Sequence, residues 1–79
     1  MTLLDLPVGK IALVNEVLLG SHGQGLATRL EAMGIFPDKP IQILRKAVFG
    51  GPLHVRVGST TEVAMRRSEA ALVTIRDSN

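Results

Sequence analysis

Apolar residues recur at helical spacing in one stretch of this chain and at strand spacing through most of the rest. Leu26, Leu30 and Met33 fall at i, i+4 and i+7 and so share one face of a helix, while Thr28, Arg29 and Glu31 point elsewhere. Gly34 supplies the left-handed stop that a helix end favours, so the spacing predicts one helix at about residues 24–34. The glycine-rich run Gly20 to Gly25 frees the backbone to turn into it.

Strand patterns lie on both sides. Lys10 to Leu19 is rich in Val, Ile and Leu but alternates poorly, which predicts a long strand that bends or bulges near Asn15-Glu16. Ile41 to Ala47 forms a second strand with Ile41 and Ile43 on one face. Leu53, Val55 and Val57 alternate cleanly with His54 and Arg56, and Val63 and Met65 face inward in the next run, Thr61 to Arg66. Directly opposed residues share a face, so a two-residue loop, which sets Val57 against Glu62, is excluded. A loop of Gly58-Ser59-Thr60 sets Val55 against Val63 and Arg56 against Glu62. Gly50-Gly51-Pro52 is a compact turn, and Thr2 to Leu6 is a single docked turn ended by Pro7 and Gly9. Ser68 to Ala71 has the make-up of one helical turn with Ser68 as its cap, and Leu72 to Arg76 is the last strand. The order predicts a mainly β, small α+β domain over residues 1–79, with five short strands in a strongly bent barrel and one inserted helix.

Composition narrows the function. With 79 residues there is room for one domain, whose apolar core supplies roughly 3–5 kcal/mol. No cysteine is present to add a disulfide or a thiolate metal site. The apolar stretch from Ile11 to Leu19 is broken by Asn15 and Glu16, and no basic region precedes it, so neither a signal peptide nor a membrane span is expected and the chain reads as cytoplasmic. A formal charge of +2 is too small to imply phosphate binding without clustering. Arg45, Lys46, Arg56, Arg66, Arg67 and Arg76 are interleaved with Glu62, Glu69 and Asp77, as on a solvated mixed-charge face.

The candidate chemistry is sparse. Gly20-x-x-Gly23-x-Gly25 matches neither a dinucleotide fingerprint nor a phosphate loop. Gly20-Ser21-His22-Gly23 lacks the flanking helices and basic residues of an RNA-clamping loop, and Phe36 and Phe49, the sole aromatics, offer no stacking platform. His22 and His54 form no metal-ligand spacing with a carboxylate, and nothing combines a nucleophile with a base and an orienting acid. No enzyme, cofactor, metal site or nucleic-acid partner is therefore expected. Direct metal sensing would rest on His22 and His54, and a nucleic-acid-binding barrel, the alternative function, on Arg45, Lys46, Arg56, Arg66 and Arg67. A small barrel cannot hide all of Leu3, Leu4, Leu18, Leu19, Leu26, Met33, Ile35 and Phe36, so some are expected to line a groove between helix and barrel that receives a partner.

Four segments in order carry a resemblance: Leu-x-x-Leu-Pro-Val-Gly-Lys at 3–10, Arg-Leu-Glu-Ala-Met-Gly-Ile-Phe-Pro at 29–37, Lys-Ala-Val-Phe-Gly-Gly-Pro-Leu at 46–53 and Val-Ala-Met-Arg-Arg-Ser-Glu-Ala at 63–70. Together they resemble the FeoA family of small cytoplasmic proteins of bacterial ferrous-iron uptake. The resemblance implies an SH3-like β-barrel with a helical insertion. It also implies an accessory role with FeoB, the membrane ferrous-iron transporter, so that the membrane is met only through the partner. Similar domains end iron-dependent repressors of the DtxR type, but no helix-turn-helix is present here, which favours the transporter. Asp38 stands where the family has Gly, implying a turn that tolerates a side chain, and Met65 stands where it has Leu, a volume-conserving change. The partner-binding residues expected for the groove are Leu4, Leu26, Arg29 and Met33, with Arg29 offered to a partner carboxylate. Edge-to-edge pairing into a homo-oligomer stays open.

Overall fold

A computed structural model describes residues 1–18 and 23–78; the side chains of residues 23, 24, 26 and 27 are outside the description. A 3-10 turn at Leu3–Asp5 leads into β1 (Ile11–Val17), α1 (Gly23–Ala32), β2 (Pro40–Lys46), β3 (Leu53–Val57), β4 (Thr61–Met65), the short α2 (Arg67–Ala70) and β5 (Val73–Asp77). The strands form one antiparallel sheet in the order β4-β3-β2-β1-β5. It curls around the core without closing, so β4 and β5 are its two edges.

The core follows the alternation. Val55, Leu53 and Val57 of β3 are buried with Ile41 and Ile43 of β2, Ala12 and Val14 of β1, Met65 of β4 and Val73 of β5, and Leu30 is the fully buried one among the described side chains of α1. Leu3 and Leu6 dock the N-terminal turn, which is tied down where Ile75 N–H donates to the Met1 carbonyl at 3.0 Å. The β3–β4 loop is Gly58-Ser59-Thr60, and Val55 opposes Val63 as facing alone required. Arg56 opposes Glu62 and donates to its carboxylate at 3.0 Å. His54 and Arg56 point away from the core and are half-exposed, with Glu62 lying against both.

The weak alternation of β1 has a definite cause. The register against β5 shifts between Val14 and Glu16, so Asn15 is a bulged residue and inward positions change from even to odd numbers. A second shift, between Ile43 and Arg45, switches the inward positions of β2 from odd to even.

Helix α1 ends as Gly34 requires. With φ at +87°, Gly34 donates to the Glu31 carbonyl at 2.9 Å while Ile35 donates to Leu30 at 3.0 Å, the paired bonds of a Schellman motif. Two expectations need correction. Ser68 does not cap α2; the residue before the helix is Arg66, whose N–H donates to Glu69 Oε1 at 2.8 Å, so the acid three residues on serves as the cap. The turn after Pro37 also does not relax the demand on residue 38. Lys39 N–H donates to the Phe36 carbonyl and Asp38 has φ of +72°, a type II turn whose third position favours glycine. Asp38 is accepted because a short acidic side chain tolerates the left-handed region, and its carboxylate also accepts from Arg76. Asp38→Ala is expected to cost about 1 kcal/mol and Asp38→Gly close to nothing, read from urea denaturation midpoints.

Candidate functional site

A cleft of about 410 Å³ lies between α1 and the sheet. Arg29 of α1 forms one wall, Gly50, Gly51 and Pro52 of the β2–β3 connection a second, and Ala64, Met65, Arg66 and Arg67, running from β4 into α2, the floor and third wall.

Local structure fixes these groups. Arg29 stands one residue before buried Leu30, so the helix face that docks Leu30 aims Arg29 along the rim, where its Nη1 lies 2.5 Å from Glu69 Oε2. The Glu69 side chain is only 4% exposed, which makes it a carboxylate enclosed by protein and held from two sides, by the Arg66 N–H on Oε1 and by Arg29 on Oε2. The contact on Oε2 is an ion pair rather than an aligned hydrogen bond. Arg67 reaches under the β2–β3 connection, where Nη2 donates to the Ala47 carbonyl at 3.2 Å; its Nε is enclosed and without a partner.

Of the residues expected to bind a partner, Arg29 lines this cleft and Leu4 and Met33 do not. The Arg29 guanidinium is already on Glu69, so it is not free to wait for a partner's carboxylate. Leu4 and Met33 are half-buried and pack against the core, and the Leu4 carbonyl accepts from Lys46 Nζ at 3.2 Å. The side chain of Leu26, like the whole of Leu19 and His22, lies outside the described residues. Of the other apolar residues in excess, Leu3 and Ile35 are buried, whereas Leu18 and Phe36 are exposed. Sequence reasoning missed Glu69, whose position in a charged segment reads as solvent-facing; the one available signal was its place three residues after Arg66, the spacing of a capping acid.

The basic residues considered for nucleic acid do not form an open stripe. Lys46 and Arg67 donate to backbone carbonyls and Arg56 to Glu62. Among the described residues no group of three or more His, Asp and Glu side chains is placed to hold a metal ion, and no helix is long and apolar enough to cross a membrane.

Residues 1–77 match the FeoA domain. The chain belongs to the FeoA family. Solved FeoA structures carry the same SH3-like fold. The protein from Stenotrophomonas maltophilia, a prokaryotic SH3-domain protein determined with zinc and put forward as a ferrous-iron-transport activating factor, superposes with a TM-score of 0.83 at 34% identity, over 96% of this chain and 89% of its own. FeoA from Chlorobium tepidum gives 0.85 at 28% identity, over 100% of this chain and 71% of its own. The iron(II) transport protein A of Clostridium thermocellum gives 0.87 at 26%, over 99% of this chain and 46% of its own. No curated protein matches by sequence. As an FeoA protein the chain is linked to ferrous-iron transport, in a family described as transport accessory factors rather than enzymes.

Proposed function

We propose that this FeoA protein is a non-enzymatic cytoplasmic accessory factor that binds an FeoB-type membrane ferrous-iron transporter and supports or regulates uptake through a protein–protein interface. The observation that carries the reading is family membership over residues 1–77. The activating role put forward for the Stenotrophomonas maltophilia relative supports it, as does a cleft at the junction of helix and sheet, where binding surfaces commonly form. The face proposed for contact is the α1 side of the domain, with Arg29 on the cleft rim and Met33 half-buried beside it.

The test is binding of the purified chain to detergent-solubilised transporter at two salt concentrations, with a DNA duplex and a single-stranded RNA as competitors. Saturable binding that survives the change from roughly 50 to 200 mM salt is expected, because phosphate contacts would lose affinity by orders of magnitude over that range. Absence of binding with and without guanine nucleotide would sink the proposal. Met33→Glu is expected to abolish binding with the melting transition retained; a lost transition would assign Met33 to the core instead.

A further inference from the structure

The tip of the β2–β3 hairpin breaks two local rules at once. Val48 to Gly51 form a β-turn closed by Gly51 N–H donating to the Val48 carbonyl at 3.2 Å, and both central residues have positive φ, +57° at Phe49 and +76° at Gly50. That is the type I′ pattern, whose first central position suits Asn, Asp or Gly. A bulky aromatic held there is conformationally costly. Burial does not offset the cost, since the Phe49 side chain is fully exposed and Val48 is 75% exposed.

The tip is nevertheless built firmly. Ala47 N–H donates to the Pro52 carbonyl at 3.0 Å, and Gly51 passes so close to Ala47 that an added Cβ would stand 2.7 Å from the Ala47 Cβ. Backbone cost without internal return, on a rigid support, is the mark of a residue placed for an external contact.

Directly behind the tip lies the cleft, whose walls carry three guanidinium groups against the single carboxylate of Glu69. Arg66 is exposed and, like the half-buried Arg67 behind it, makes no ion pair among the described residues, so the cleft keeps a net positive charge. Pro52, Ala64 and Met65 supply the apolar lining.

We propose that tip and cleft together form a docking surface for an acidic segment of a protein partner, with Phe49 entering an apolar socket of the partner and a partner carboxylate meeting the exposed Arg66. Aromatic and arginine side chains are the usual anchors of such interfaces, and arginine matches a carboxylate with paired hydrogen bonds. Charge selects the occupant. A second copy would bring one cationic cleft against another, and a bare bilayer fits the convex tip but not the hollow beside it. This deepens the accessory-protein reading, on which it rests for the identity of the partner.

The test compares the unaltered chain with Phe49→Asn and Arg66→Glu for binding to an FeoB-type transporter in nanodiscs. A parallel arm titrates the 15N-labelled chain with a blocked Glu-Leu-Glu-Glu peptide and its Lys-Leu-Lys-Lys counterpart. Phe49→Asn is expected to raise the melting temperature by a few degrees, because Asn suits the turn, and to weaken transporter binding at least tenfold. Arg66→Glu is expected to weaken binding similarly with melting unchanged, and the acidic peptide alone is expected to shift the amide signals of Gly50, Gly51 and Arg66. Undiminished binding by both variants overturns the surface and leaves the accessory role standing. Failure of the unaltered chain to bind transporter, with acidic-peptide shifts confined to this face, removes the accessory role and keeps the surface; peptide shifts elsewhere or none overturn it. Capture by phosphatidylglycerol vesicles that Phe49→Asn abolishes would replace the protein partner with a membrane, and a dimer dispersed by the same change would replace it with a second copy.

Discussion

Leu30→Ala is expected to cost 2–5 kcal/mol, a range set by deletion of a buried leucine and the cavity it leaves. For a domain of this size without disulfides that is close to the whole stability, so a large unfolded fraction is expected at 37 °C. The site is sensitive for two reasons. Leu30 is wholly buried and is the fully buried anchor that α1 gives the core, so no neighbouring α1 residue with a described side chain compensates for it. Its carbonyl also receives the Met33 and Ile35 N–H groups that end the helix, which couples loss of the side chain to fraying of the Schellman motif. Each lost kcal/mol lowers the melting temperature by about 4–8 °C in a domain this short. A drop smaller than one such step, measured by circular dichroism, would show that α1 is dispensable to the core.

Arg29→Ala should destabilise far more than an ordinary helix-surface arginine, by about 1–3 kcal/mol, because it strips the Glu69 carboxylate of its countercharge while leaving it enclosed. Glu69→Ala removes the Arg66 cap as well and is expected to cost at least as much, whereas Glu69→Gln keeps an acceptor for the Arg66 N–H and should be the mildest of the three. The signature is in the cycle. Arg29→Ala combined with Glu69→Ala should cost less than the two singles added, since the double variant has no orphaned charge. Strict additivity in urea denaturation would mean that solvent, not Arg29, neutralises Glu69.

The contrast between these residues shows what a single sequence can carry. Element order, the single helix and the Val55 to Val63 register were legible because burial imposes a period, and a slip of one residue would have turned Glu62 inward. The Arg29–Glu69 pair was not, because the partners are 40 residues apart in sequence and only the docking of α1 beside α2 brings them together. The hairpin tip was half legible. Gly50-Gly51-Pro52 announced a turn, but no periodic signal says that its centre falls on Phe49-Gly50 and lifts the ring into solvent. Of the expected partner-binding residues, Arg29 reaches the cleft, while Leu4 and Met33 lie half-buried against the core, since helical spacing identifies a shared face without saying whether that face meets the domain's own interior or another molecule.

The two register shifts put a form of spare length into the middle of the sheet. Opposite Ile75, Thr74 and Val73, β1 supplies Val14, Glu16 and Val17, and opposite Val55, His54 and Leu53, β2 supplies Ile43, Arg45 and Lys46, so Asn15 and Leu44 are surplus to their ladders. Loss of a residue in mid-strand ordinarily turns everything beyond it inside out. Here, excising Asn15 or Leu44 would leave every pairing and every inward face where it is and take away only the curl. Curvature and side-chain patterning are thus written in separate residues of this domain, and one can be edited without rewriting the other.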